Sequence, residues 1–141
     1  MFAVIRIRGS VGLKKDIKDT LTMLRLNRKM HCVLVKENEC MKGMLQKVRS
    51  YISWGEIDDD VLRALIKKRG RKLVDKRLTD AEAEEVFKKT KEKEKVPGEI
   101  KPVFRLNPPS KGFKKSIKQH YPDGELGYRG KEINELLKRM I

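Results

Sequence analysis

The fold is decided by the stretch FAVIRIRGSVG, residues 2–12. Every second residue from Ala3 is aliphatic, and Arg6 and Arg8 fall on the opposite face, which is the period of a β-strand with one buried face. The glycine-rich end of the stretch breaks the strand, and apolar residues then recur at helical spacing from about Lys14 to Arg25. The beginning of the chain therefore predicts a strand, a glycine turn and a helix.

The same alternation of elements continues downstream. Cys32 to Lys36 is rich in Val and Leu and predicts a second strand, a helix follows from about Glu39 to Val48, and Tyr51 to Ile57 forms a third short strand. We expect an α+β fold with a ferredoxin-like β-α-β-α-β core over residues 1–57, a three-stranded sheet with two helices on one face. The second sheet face and the edge strand would then be open to RNA or to the rest of the chain.

Residues 58–141 predict a mostly helical and extended C-terminal extension. Helices are expected over about 58–95, a proline-rich wrap over 96–121 and a C-terminal helix over about 131–141. Four of the five prolines lie in the first part of the wrap, which favours an extended chain lying over a surface. No internal repeat is evident.

The helices of the extension carry end signals. Asp58-Asp59-Asp60 complements the macrodipole at the start of the first helix, which is a simpler interpretation than a metal site. Thr79 and Glu82 have the spacing of a capping box for the next helix. An apolar stripe that begins at Ile133 marks the last helix, and this stripe must be buried against another surface.

The charge balance indicates a binder of polyanions. The chain has 35 Lys and Arg against 20 Asp and Glu, a formal net charge of +15 and a pI near 9.9. Residues 1–57 carry +7, residues 58–95 carry +3 and residues 96–141 carry +5, so binding should concentrate on the two ends. No apolar run has the length of a membrane span or follows the start methionine as a signal peptide would, and we expect a cytoplasmic protein without a membrane partner.

Catalytic, metal and cofactor sites are not indicated. Cys32 and Cys40 are interpreted as reduced packing cysteines, and neither His31 nor His120 lies in a cluster with metal-ligand spacing. The glycine turn lacks the spacing and the Lys-Ser/Thr of a nucleotide-binding loop. We therefore expect no enzyme, no cofactor and no small-molecule substrate.

Two regions have the residue types of an RNA contact. The segment 104–115 mixes basic residues with Phe, Gly and Pro, as in loops that neutralise phosphates and stack on unpaired nucleobases. An equal alternative is that Phe104 and Phe113 are core anchors. The glycine turn with Lys14 and Lys15 either grips phosphates at a helix N-terminus or is a plain turn. The cations near the end of the first helix suit the helix dipole as well as RNA.

Several motifs resemble one family. They are the runs TLTMLRL at 20–26, KMHCV at 29–33, KGMLQKV at 42–48 and YISWGE at 51–56, with FRLNPP at 104–109, GELGYR at 124–129 and INELLKRM at 133–140. Together they are similar to the universal large-subunit ribosomal protein called L-thirty in bacteria and archaea and L-seven in eukaryotes. The downstream motifs resemble the longer archaeal and eukaryotic members, and a first strand that begins at Phe2 leaves no long basic N-terminal arm, which implies the archaeal type.

The resemblance implies a structural constituent of the large ribosomal subunit in the cytoplasm. Its implied partners are large-subunit rRNA and neighbouring ribosomal proteins. Rival functions are an RNA-processing or RNA-modifying protein or enzyme and a chromatin-type DNA binder. We expect the rRNA phosphates to be contacted by cations of the core and the extension, namely Arg6, Arg8, Lys14, Lys15, Arg25, Arg28, Lys29, Lys47, Arg49, Arg105, Lys111, Lys114, Lys115 and Arg129.

Overall fold

The chain folds as a mixed sheet with helices on both faces, in a computed structural model that describes residues 1–9, 11–93 and 96–141. The strands are β1 (Phe2–Arg6), β2 (His31–Val35), β3 (Ile52–Glu56), β4 (Val103–Arg105), β5 (Ser116–His120) and β6 (Gly124–Tyr128). The helices are α1 (Lys15–Met23), α2 (Glu39–Lys47), α3 (Asp59–Arg69), α4 (Asp80–Lys93) and α5 (Ile133–Met140), and a 3₁₀ turn spans Gly130–Glu132. The predicted mixed α+β class is confirmed.

The sheet has the order β4-β2-β1-β3-β6-β5. Both β2 and β3 run antiparallel to β1, with Phe2 opposite Val35 on one side and opposite Glu56 on the other. Therefore β2 and β3 are parallel to each other, and α2 connects them across β1. On the outer sides β4 is antiparallel to β2, β6 is parallel to β3, and β5 lies beside β6 with an irregular register.

The predicted three-stranded sheet is wrong in its strand number, because the sheet has six strands. The additional strands, β4 to β6, come from the segment after residue 96. Their sequences lack a strand pattern: β4 has only three residues, β5 is exposed along its length, and β6 contains two glycines. Pairing with strands already in place, rather than local propensity, selects the extended conformation there.

The two faces of the sheet have separate cores. On one face, Val4 and Trp54 pack with Leu21 of α1 and Leu45 of α2. On the other face, a second cluster joins the sheet to α3, α4 and α5; its members include Ala3, Ile5, Leu65, Phe87 and Leu136. The face that the sequence left open to RNA or to the rest of the chain is thus covered by the rest of the chain.

Local signals in the sequence have mixed outcomes. The capping box is confirmed, since the Glu82 carboxylate accepts from the Thr79 N–H at 3.1 Å and Thr79 Oγ1 accepts from the Glu82 N–H at 3.4 Å. Cys32 is a buried packing residue, and burial raises the pKa of its thiol to about 12. Cys40 is exposed, so its interpretation as a packing cysteine is wrong. The helical period of α2 turns Cys40 toward solvent.

Candidate nucleic-acid interface

Many of the predicted cations meet at one end of the sheet. The strands β1 and β4 end there and β2 and β3 begin there, with His31 opposite Arg105. The N–H groups of Ile7 and Arg8 both donate to Tyr51 O, at 2.9 and 3.2 Å, which joins the loops after β1 and before β3. We call this surface the basic end; its cations are Arg8, Lys14, Lys15, Arg28, Lys29, Lys47, Arg49 and Arg105.

The positive charge of the basic end is not neutralised by the chain itself. Within the described residues, none of these eight cations forms an ion pair with a carboxylate. The middle of the chain differs, because Arg63 pairs with Glu84, Lys72 with Glu82 at 2.8 Å and Lys89 with Glu99 at 2.6 Å. Several cations of the middle segment are therefore engaged in internal ion pairs, whereas the cations of the basic end have no carboxylate partner among the described residues.

The turn between β1 and α1 brings two groups of cations together. A Cβ atom on Gly9 would lie 2.7 Å from Lys29 Cε, so the backbone of this glycine lies directly against the lysine stem. Lys14 precedes α1 and makes no side-chain cap, and both Lys14 and Lys15 are exposed. Ser10 of the predicted phosphate-gripping turn lies outside the described residues.

Arg8 is held at the basic end by an aromatic ring that sequence reasoning did not assign. Its guanidinium lies 5.2 Å from the centre of the Tyr51 ring. Beside them, Ser50 Oγ and His120 Nε2 are 3.4 Å apart, which brings β5 to the same end of the sheet. The alternation of Arg49, Ser50 and Tyr51 in sequence is the kind of basic and aromatic mixture that could have indicated this position.

Arg6 does not belong to the accessible surface. Its side chain is 2% exposed, Nη1 donates to Leu26 O at 2.7 Å and Nε donates to Arg8 O at 3.0 Å. Burial lowers the pKa of this guanidinium. These hydrogen bonds of Arg6 connect the loop before β2 to the end of β1, and we do not include Arg6 in the candidate interface.

His31 lies among the arginines of this end. Burial, followed by the positive charges of Arg105, Arg28 and Arg6, lowers the pKa of its imidazole. Burial is the largest cause of this shift, and the three arginines add to it, so His31 lies where their positive charges converge.

The predicted cations of the extension lie in a mixed-charge cluster. Lys114 pairs with Glu135 at 3.2 Å, and Arg129 pairs with the buried Glu125 at 2.5 Å. Lys115 Nζ donates to Pro122 O at 2.7 Å. The Arg129 side chain is mostly buried in its ion pair with Glu125, and we do not include it in the candidate interface. The Lys114 side chain is exposed, and an ion pair at the surface contributes little to stability.

Two further predicted cations lie apart from both groups. Arg25, two residues after the end of α1, has a φ of +62° and lines a concavity with Met23, Val35 and Met41. Lys111 is exposed at a turn, with a φ of +63°. Neither residue is placed among the cations of the basic end.

The aromatic rings of segment 104–115 are core residues. Phe104 is fully buried, and Phe113 packs against the core beside α5. Their alternative role as stacking platforms for unpaired bases is not carried further. Among the described residues no cluster of His, Cys, Asp and Glu could hold a metal ion, and none of the helices found there is long and apolar enough to cross a membrane.

Comparisons with known proteins agree on one family. The family model of ribosomal protein L30p/L7e matches residues 2–52. "Large ribosomal subunit protein uL30" of Thermoplasma volcanium is 49% identical, with 100% of this chain and 93% of the relative covered. The proteins of the same name from Methanococcus maripaludis and Methanosphaera stadtmanae are 47% and 45% identical, and each comparison covers at least 99% of both chains.

Proposed function

Because the chain belongs to the ribosomal protein L30p/L7e family, we propose that it is a structural constituent of the large ribosomal subunit that binds large-subunit rRNA. It takes part in translation as a non-catalytic component, as an archaeal type of this family. Similarity over the whole chain carries this conclusion, since it includes both the core and the extension. We place the protein in cytoplasmic ribosomes, beside neighbouring proteins of the large subunit.

The basic end is the proposed phosphate-binding surface. Its eight cations surround the loops at one end of the sheet, and no internal carboxylate pairs with them in the described chain. Each cation that neutralises a phosphate releases counterions and fixes the orientation of the protein on the RNA. Lys111, Lys114 and Lys115 add weaker contacts on the extension. The role of the whole set is to position and hold folded RNA.

We also propose that residues 1–57 form a ferredoxin-like unit and that 58–141 form its extension. The family model ends at residue 52, the first residue of the last strand of the core. The extension does not fold as a separate body, since α3, α4 and α5 share one core with Ile5 and Cys32. It closes the second sheet face of the core and adds three strands to the sheet.

Co-sedimentation tests the proposed function. Large subunits are washed in high salt and pelleted, and the chain is followed with an antibody. We expect it to remain with the large subunits after the wash, because the many phosphate contacts of a folded rRNA site persist where nonspecific binding is lost. Recovery in the supernatant alone would reject the proposal. Turnover of RNA by the pure protein would favour a processing enzyme, and equal competition by duplex DNA would favour a DNA binder.

A further inference from the structure

The end of the sheet opposite the basic end carries a small aromatic pocket. Phe2 lies opposite Val35 and Glu56, so the loops after β2 and β3 leave the sheet at this end. The strand β6 also ends here, and its Tyr128 lies beside Trp54 of β3. Three rings from three strands are thereby brought to one place.

The Tyr128 ring is held with one side in solvent. Its centre lies 6.2 Å from that of Phe2 and 6.1 Å from that of Trp54, and both of these rings are 3% exposed. The exposed fraction of Tyr128 is 47%. Its hydroxyl donates to Glu56 Oε1 at 3.0 Å, and the next residue is anchored because the Arg129 N–H donates to Trp54 O at 2.9 Å. The ring is therefore a preorganised platform that costs little entropy to use.

The pocket beside this platform has a volume of about 290 Å³ and is lined by carboxylates as well as rings. Glu56 and Glu37 face it, and Lys42 and Gln46 of α2 complete its rim. Glu37 accepts from the amino group of Met1 at 3.1 Å. Burial, the hydrogen bond to Glu56 and the charges of Glu56 and Glu37 raise the pKa of Tyr128. The exposed ring therefore lies beside two carboxylates, of which Glu56 is hydrogen-bonded to Tyr128 and Glu37 to the amino group of Met1.

We propose that this pocket receives an arginine side chain from a basic segment of a protein partner. The guanidinium would lie over the exposed Tyr128 ring and donate to the Glu56 carboxylate, which can accept more than the one bond from Tyr128. A planar guanidinium satisfies both groups at once, whereas a lysine ammonium offers only a point charge. The proposal is independent of the rRNA interface, because the pocket lies at the other end of the sheet.

RNA is the less suitable occupant. An unpaired base could stack on Tyr128, but its phosphates would approach the carboxylates of Glu37 and Glu56 and be repelled. A purely apolar side chain would cover the Glu56 carboxylate without offering it a donor, which costs free energy. A cation on a protein segment avoids both penalties.

Fluorescence of Trp54, the only tryptophan in the sequence, reports binding directly. The probe is the peptide acetyl-Gly-Arg-Gly-amide, titrated into the full chain at low salt, with the matched citrulline and lysine peptides as comparisons. We expect saturable binding of the arginine peptide with a dissociation constant of roughly 1 mM, weaker binding of the lysine peptide and none of the neutral citrulline peptide. The titration midpoint is the measured quantity.

Variants locate the bound peptide. Tyr128→Ala and Glu56→Gln should each weaken binding about five-fold, while Tyr128→Phe, which keeps the ring, should stay near the wild-type midpoint. Glu99→Gln removes an exposed carboxylate elsewhere, paired with Lys89, and should leave the midpoint unchanged. The proposal fails if the arginine peptide does not bind at about 10 mM, ten times the expected constant, or if Glu56→Gln has no effect. It also fails if an oligoadenylate binds the pocket more tightly than the peptide.

Discussion

At the residue scale, identical side chains two positions apart have different roles. Arg6 and Arg8 share one face of the first strand in the sequence pattern, and both were predicted to bind phosphates. Arg6 is covered because α1 and α2 pack on that face, and its guanidinium donates a hydrogen bond to Leu26 O. Arg8 lies beyond the end of the strand and rests on Tyr51, partly exposed. The alternation of residues along a strand predicts which face of the sheet a side chain lies on, but it does not predict which other elements pack on that face.

His31 provides a prediction of pH dependence. Its pKa in the folded chain is below the ordinary value of 6.5, so the unfolded chain takes up a proton that the folded chain resists. The free energy of unfolding should therefore fall as the pH is lowered through about 6.5, and His31→Gln should lose less stability than the wild type between about pH 7.5 and about pH 5.5. Denaturant midpoints at the two pH values measure this difference.

The other titrating groups can be separated from this effect. The carboxyl pKa values of Asp75, Glu82 and Glu135 are lowered from 3.8 or 4.5 by their ion pairs with lysines, so their contribution is lost only below this pH window. If His31→Gln and the wild type lose equal stability, folding does not lower the pKa of this imidazole.

At the element scale, the contact between β3 and the C-terminal helix depends on a glycine. Gly55 lies in β3, and a Cβ there would collide with Gly130 O and lie 2.9 Å from Ile133 Cγ2. Asn134 reinforces this junction, since its side chain accepts from the Asp58 N–H at 2.8 Å and donates to Glu56 O at 3.0 Å. The helix is thus seated directly on strand backbone, as a close approach through glycine allows.

Two glycine substitutions test this seating. Gly55→Ala should destabilise the chain by about 2–3 kcal/mol, because the backbone of the 3₁₀ turn would have to move. Gly43→Ala is the matched control: Gly43 lies within α2 with open space around its Cβ position, and alanine should stabilise by about 0.5–1 kcal/mol. Urea unfolding curves give both values. Equal and small effects would show that β3 and the C-terminal helix are not in close contact.

At the scale of the whole molecule, charge is distributed by the topology. Loops that are distant in sequence meet at the basic end. At the other end of the sheet, Glu37 and Glu56 line the aromatic pocket. The cations of α3 and α4 differ from those of the basic end, because several of them form ion pairs with carboxylates of these two helices. Folding therefore gathers eight of the 35 cations of the chain at one end of the sheet.

Salt dependence of rRNA binding tests that distribution. Each lost phosphate contact lowers the slope of log affinity against log salt by about 0.7–0.9, so Arg28→Ala with Lys29→Ala should lower it by roughly 1.4–1.8. Lys114→Ala with Lys115→Ala should have a smaller effect, because these side chains already bind Glu135 and Pro122 O. Filter binding over a salt series measures the slopes. An unchanged slope would remove the tested pair from the interface, and a larger effect of the second pair would move its centre to the extension.

The sequence by itself determined the alternation of strands and helices in the first 57 residues, the capping box, the final apolar helix, the family and the excess of positive charge. These features depend on local periodicity, local hydrogen bonds and composition, which are present in any window of the chain. Only the tertiary structure decided that the sheet has six strands, that its second face is covered and that Arg6 and Arg129 are internal while Arg28 and Lys29 are exposed. The physical reason is that burial and strand pairing are long-range: they depend on which distant segment packs on a residue, and the residue's own neighbours in sequence do not encode it.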